Sequence, residues 1–428
     1  MMGAAAGYSA VLITQLRASD KIPITNEQVS WIASLIIICR PLGVLLEGFI
    51  VDRFGRKTTM QIATFFFIIS WLCTAMSDSL SMLYASRMFT GFSLGMVICV
   101  GLYIAEITTP ADRGTYLSMI TPSTNLGVLL VYFLGSMFSW SIVAFILATY
   151  SVGILFCLRY IPESPIWYLL RQRKIEATMV LLKFRNNDTE LVELEINEIR
   201  KRLRMHESSS RFSYLRNFTC PTAWKPFLIF TVFSFLQQQA GYNIIIYYAM
   251  DFFQQIGTNM KEHEYLLAII FASISLVGSL LLVFIVHKFN RVTLLVFSGI
   301  CMSVTMGFAA LLKHFGGSSP QYEALLIVCV YAYIFFCMLG MIDIPWMMLG
   351  EILPNHLRGV LSAMITVIIF LLSFVNVKLY TLMVHYLGTA GMLCSFGVFS
   401  LLSVLFAKMF FPETRGKALF EVEEYFRK

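Results

Sequence analysis

The ten residues Gly350–Gly359, GEILPNHLRG, lie between two long apolar runs and read as a short charged connector between two helices. Ala105–Gly114, AEITTPADRG, has the same design. In each, a Glu stands seven residues before an Arg-Gly pair with a Pro between them: Glu106 with Arg113, then Glu351 with Arg358, 245 residues later. Pro162–Pro165 (PESP) returns as Pro412–Arg415 (PETR) after 250 residues, and Asp52–Lys57 (DRFGRK) returns in worn form as His287–Val292 (HKFNRV) after 235. Three echoes in one order at nearly one offset mean an internal duplication of about half the chain. In a membrane chain, two parallel repeats imply two helical bundles with a site between them.

Composition puts the chain in a bilayer. It is 58% hydrophobic and 13% charged, with mean hydropathy +0.74, whereas a soluble domain carries about 25% charged residues. The net charge of +7 sits in loops rather than along a stripe, so no nucleic-acid partner is expected. All nine Cys but Cys220 fall inside apolar runs without metal-like spacing, which reads as small buried hydrophobes.

About 20 apolar residues cross a bilayer. Twelve such runs can be read: 2–16, 29–50, 58–77, 81–106, 115–136, 139–159, 225–253, 265–286, 293–312, 322–349, 360–384 and 388–410. The expected fold is an all-α membrane protein with twelve transmembrane helices in two six-helix bundles, residues 1–159 and 225–411. A cytoplasmic linker spans 160–224, and a tail spans 412–428. The linker holds ELVELEINEIRKRLR (Glu190–Arg204), acids leading and bases trailing, as an amphipathic surface helix prefers. Of 32 Lys and Arg, 25 fall on one side of the alternating spans, which makes that side and both termini cytoplasmic.

No nucleophile–base arrangement, metal-ligand cluster or phosphate loop is present in the sequence, so an enzyme reading has nothing to build on, and no cofactor is expected. The connectors carry the chemistry instead. Asp52, Arg53 and Arg56 stand at the mouth of spans two and three, on the same face as Glu106 and Arg113. The echoes add Glu163, Arg291, Glu351, Arg358 and Glu413. Carboxylates and guanidiniums can hold helix ends together in one conformation and release them in another. The bland alternative is a set of solvated charges worth under about 1 kcal/mol each.

Taken together, GFIVDRFGRK, RMFTGFSLG, YIAEITTPADRG, PESPIW, QQQAGYNIIIYY, IPWMMLGEILPNHLRG and PETRGK resemble, in order, the sugar porter family of the major facilitator superfamily. GEILPNHLRG and the RGT at Arg113–Thr115 are most similar to its insect facilitated trehalose transporter branch. The resemblance implies a sugar site between the bundles, alternating access, and a facilitative plasma-membrane transporter of trehalose or a hexose that acts as a monomer. A proton-coupled symporter and a non-transporting sugar sensor are the alternatives.

Span seven is then the candidate site. Gln237, Gln238 and Asn243 lie within two turns of an otherwise apolar helix. On an ideal helix Asn243 aligns with Gln239, not with the leading pair, so a shared site needs a break, expected at Gly241. The resemblance makes Gln237, Gln238 and Asn243 sugar ligands, Trp346 the stacking Trp, and Tyr247 and Tyr248 the outer gate. Thr121 and Ser275 take places where porters carry Gln and Asn, and Asp343 stands where Pro is usual. Five ionisable residues fall inside spans: Arg40, Glu47, Arg87, Asp343 and Lys378. Asp343 and Glu47 are possible coupling residues, whereas Arg87 and Lys378 are expected to snorkel to the surface.

Overall fold

The computed structural model describes residues 1–19, 22–109, 112–207, 220–256, 263–316, 320–354, 357–415 and 425–426, with side chains for all but 202–207, Pro320 and Arg358. The described residues form helices and connectors, with no strand among them. Nine helices are long and apolar enough to cross a membrane among the described residues, against the twelve runs read from the sequence.

The difference has three physical sources. The first helix, Met2–Arg17, is only 16 residues long. The seventh run is divided at Gly241, and its longest piece, Pro221–Gln239, ends on three Gln that lower its apolarity. The last two runs are two helices that meet with no connector at Gly388, where the backbone is non-helical (φ 67°, ψ 173°), so that together they fill Arg358–Phe410. The two helices fold back on each other at that residue. The Asn376 amide donates to the Gln238 carbonyl, while the Phe396 ring packs against Gly241, three residues away. On a straight helix, residues 376 and 396 would stand about 30 Å apart.

Helices of the first half meet those of the second along three seams. Ile120–Met137 packs on Glu264–Ile285, and Asn26–Ile38 packs on Arg358–Phe410. Met2–Arg17 packs on both Ile120–Met137 and Tyr242–Tyr247. Large apolar side chains such as Phe65, Phe145, Phe156, Phe284 and Phe297 stay exposed, as a lipid-facing surface requires. The fold is thus all-α and multi-pass.

The linker folds as short helices, Pro165–Leu170, Lys174–Phe184 and Thr189–Glu207, around Leu169, Ala177, Leu181, Val192 and Ile196. Arg185 binds Glu195 through two hydrogen bonds of 2.9 and 3.0 Å and also donates to the Ile107 carbonyl at 3.1 Å. That contact ties the linker to the first charged connector.

Candidate substrate site and gates

The helix carrying the three candidate amides breaks at Gly241, as the sequence expects. Gly241 takes a left-handed conformation (φ 91°, ψ 1°), ending Pro221–Gln239 and starting Tyr242–Tyr247. A break inside a bilayer frees carbonyls that water cannot reach, so side chains must satisfy them. The Tyr333 hydroxyl donates to the Ala240 carbonyl at 2.5 Å, and Asn376 takes the Gln238 carbonyl. The turn swings Asn243 toward the leading pair: its Nδ2 donates to Gln238 Oε1 at 2.7 Å and to Ser373 Oγ at 3.1 Å.

A second break faces the first. Cys337–Met341 forms a π-helical turn before the Asp343–Ile352 helix. Pro345 has no N–H to return to the Met341 carbonyl. Gln237 Nε2 donates to that carbonyl at 2.6 Å. Two residues on, Asp343 Oδ1 accepts from Thr121 Oγ1 at 2.5 Å, a bond from the second half of the chain to the first. Two departures from the family pattern therefore touch each other. Trp346 lies one turn beyond Asp343 and is 44% exposed. Ser275 is buried, with its hydroxyl spent on Phe271 O at 2.9 Å of its own helix. The structure does not bring that hydroxyl to the amides.

On the connector face each half builds one ion-pair network. Arg56 Nη2 binds Glu106 Oε1 at 2.6 Å, and Ser164 Oγ donates to Glu106 Oε2. Glu163 accepts from the backbone N–H groups of Arg56 (2.8 Å), Lys57 (3.1 Å) and Ser164 (2.8 Å). Its carboxylate thus caps the start of Arg56–Ala75, where orphan N–H groups and the helix dipole favour an anion. The second half repeats the design. Arg291 Nη2 binds Glu351 Oε1 at 3.2 Å, Thr414 Oγ1 donates to Glu351 Oε2 at 2.5 Å, and Glu413 accepts from Arg291 N (2.9 Å) and Val292 N (3.1 Å). The worn HKFNRV works because Asn290 is extended (φ −68°, ψ 143°), whereas Gly55 at the matching place has φ 96°.

These networks differ from the expected latch in two ways. Each stays within its own half, and among the described residues no ion pair joins the halves on this face. Asp52, Arg53 and Arg113 are exposed, and none joins either network. The backbone of that connector is what is held: Arg171 donates to the carbonyls of Asp52 (3.4 Å) and Arg53 (2.9 Å). The Arg358 side chain lies outside the described residues.

Contacts between the halves gather from mid-depth to the opposite face. Arg17 Nη1 binds Asp251 Oδ1 at 2.6 Å. Arg40 Nη2 donates to the hydroxyl of the buried Tyr247 at 2.9 Å and lies over the Phe370 ring. Within the second half, Tyr248 is buried against Tyr380, with ring centroids 4.4 Å apart. Lys378 does not snorkel: Nζ donates to Ser30 Oγ at 2.7 Å and sits 3.8 Å from the centre of the Trp31 ring. Glu47 is half-buried and makes no hydrogen bond or ion pair among the described residues.

The partly exposed Arg17–Asp251 pair is worth about 1 kcal/mol. Asp251→Asn should therefore shift the balance toward opening of this face by roughly five-fold. Labelling of a cysteine placed beside Tyr247 reads that balance. The exchanged pair Arg17→Asp with Asp251→Arg should restore it, and an unchanged labelling rate in Asp251→Asn would dismiss the latch.

Sequence reading passed over several polar residues that the structure puts to use. Asn125, one turn beyond Thr121, donates to Ser275 O (3.1 Å), Ser279 Oγ (3.0 Å) and Met338 Sδ (3.4 Å), pinning three helices together. Asn125 and Asn376 are lone amides in apolar runs, and that rarity was the available signal. Arg87 is fully buried rather than snorkelling, so its position corrects the expectation.

Residues 4–426 match the family described as "Sugar (and other) transporter". The chain is 29% identical over 99% of its length to the facilitated trehalose transporter Tret1 of Culex quinquefasciatus, 82% of which is covered. It is 28% identical to Tret1 of Aedes aegypti, again over 99% of this chain, but spans only 53% of that relative. Among solved structures it is similar to a partially occluded inward-open form of the xylose transporter XylE from E. coli, with TM-score 0.81 and 21% identity, covering 97% of this chain and 96% of that one. The proton:xylose symporter XylE bound to 6-bromo-6-deoxy-D-glucose matches with TM-score 0.81 and 22% identity, covering 99% and 97%. With a family match running nearly end to end, charged connectors built twice and broken helices facing each other, this chain belongs to the sugar (and other) transporter family, a family of transporters and not of enzymes.

Proposed function

We propose that the chain is a facilitative sugar transporter of the plasma membrane, moving trehalose or a hexose down its gradient by alternating access. In this reading twelve spans form two six-helix bundles over residues 1–159 and 225–411, with 160–224 as the linker and 412–428 as the tail. The connector face and both termini are cytoplasmic, because Lys and Arg crowd that face. The protein works as a monomer without a cofactor.

One observation carries the reading: a cluster of amides at a helix break, meeting a second broken helix and a polar bond between the halves. Amides donate and accept at once, which is what sugar hydroxyls need. Gln237, Gln238 and Asn243 bond to one another or to freed backbone in this conformation. A sugar entering between the halves exchanges those bonds for its own. Thr121 contributes from the first half, and Trp346 offers an apolar face to the C–H side of the ring. Tyr247 and Tyr248 close the outer side. The sugar is held where the halves part, so rocking of one half against the other exposes it to alternate sides.

Uptake of radiolabelled glucose and trehalose by cells expressing the chain tests this, with a protonophore present or absent. The expected result is saturable uptake that ignores the protonophore. Gln238→Ala should raise KM roughly ten-fold by removing a buried hydrogen-bonding group; an unchanged KM would withdraw the site assignment. The Asp343–Thr121 bond favours proton symport as the second reading, because it sets an acid between the halves at the site. Uptake that collapses with the protonophore and becomes indifferent to it in Asp343→Asn would establish that reading. Absence of uptake from protein present at the surface would favour the sensor.

A further inference from the structure

Among the described residues the Arg87 guanidinium has no counter-ion. The side chain is 0% exposed, enclosed within the first half and away from the amide cluster. Its Nη2 donates to Thr74 Oγ1 at 3.2 Å, and it lies 4.9 Å from the centre of the Tyr8 ring and 5.7 Å from that of Trp71. Among the described residues Nε and Nη1, which carry three of the five N–H donors, have no hydrogen-bond partner. The Tyr8 hydroxyl donates to the Trp140 carbonyl at 2.7 Å. Ser9, next along the chain, is also fully buried with an unpartnered hydroxyl.

A buried cation without a partner is among the most costly arrangements a membrane protein can hold. The two rings return part of that cost through cation–π attraction. They supply no acceptor for the free N–H groups. A water molecule would supply one, but its own hydrogens would need acceptors in turn. Thr74 donates to Ser70 O at 2.9 Å, and Ser70 is bonded to Ser86 O and Thr90; these oxygens and that of Ser9 can still accept, but none carries the negative charge that would offset the cation. A monatomic anion accepts without donating, and it cancels the charge. We infer that Arg87, with Thr74 and the Tyr8 and Trp71 rings around it, forms a structural binding site for a small inorganic anion of chloride type. Transport is then supported by an ion that is neither substrate nor cargo.

The test uses the full-length protein purified in detergent, with sodium chloride exchanged for sodium gluconate at constant ionic strength. Chloride should raise the melting temperature saturably, by about 2 °C or more. Arg87→Gln should remove the difference between the two salts. Equal melting temperatures in both salts for the unmodified protein would overturn the proposal in favour of bound water. So would a chloride effect that survives in Arg87→Gln, which would place the anion elsewhere. Should that variant fail to fold, anomalous scattering from bromide in crystals of the unmodified protein decides: a peak beside the guanidinium supports the site, and its absence overturns it.

Discussion

Glu106→Ala is expected to cost about 3–5 kcal/mol of stability, whereas Glu351→Ala at the equivalent place in the second half should cost about 1 kcal/mol. The two pairs share one design but not one environment. Arg56 and Glu106 are each 6% exposed at the side chain and 2.6 Å apart. Arg291 and Glu351 are 15% and 33% exposed at 3.2 Å. Removing Glu106 leaves a guanidinium buried without its charge partner and takes the acceptor from Ser164. Removing Glu351 leaves one that water reaches. Replacing both partners of the buried pair, Arg56→Met with Glu106→Leu, should recover most of the loss, since the penalty belongs to the stranded charge. Thermal unfolding in one detergent gives the rank order. Equal losses for the two single variants would mean that burial does not set the strength of these networks.

Gly241→Ala should be the most damaging small substitution in the second half. At φ 91° a side chain incurs the left-handed penalty of about 1–2 kcal/mol. The added Cβ would also stand 2.5 Å from Phe396 Cζ, and overpacking of that kind costs about 1–3 kcal/mol. A chain escaping both terms by straightening the helix would turn Asn243 away from Gln238 and undo the amide cluster. Combining Gly241→Ala with Phe396→Leu relieves the clash but not the backbone, so sugar uptake should return only in part. Full activity in Gly241→Ala would show that the break does not build the site.

Much of this was legible in the chain. The duplicated connectors announced two related halves, and apolar runs of bilayer length announced helices. The drift of a 3.6-residue period required a break before Gln238 and Asn243 could share a face, and glycine is the residue that tolerates one. Local chemistry decides such features, so local sequence carries them. The division of labour among the charges was not legible. Asp52, Arg53 and Arg113 sit in the same motifs as Arg56 and Glu106, yet they remain exposed, because burial is set by neighbours 50 or more residues away. Glu163 became a helix cap only when the chain returned to Arg56. Thr121 and Asp343 are each an unexplained substitution in the sequence, and tertiary structure makes them one bond. Arg87 illustrates the limit most clearly. Its position in a span gave its cost, but only the packing of Tyr8, Trp71 and Thr74 around it decided that it is buried rather than reaching for water. Periodicity fixes what each helix is, and the pairing of distant surfaces fixes what each charged side chain does.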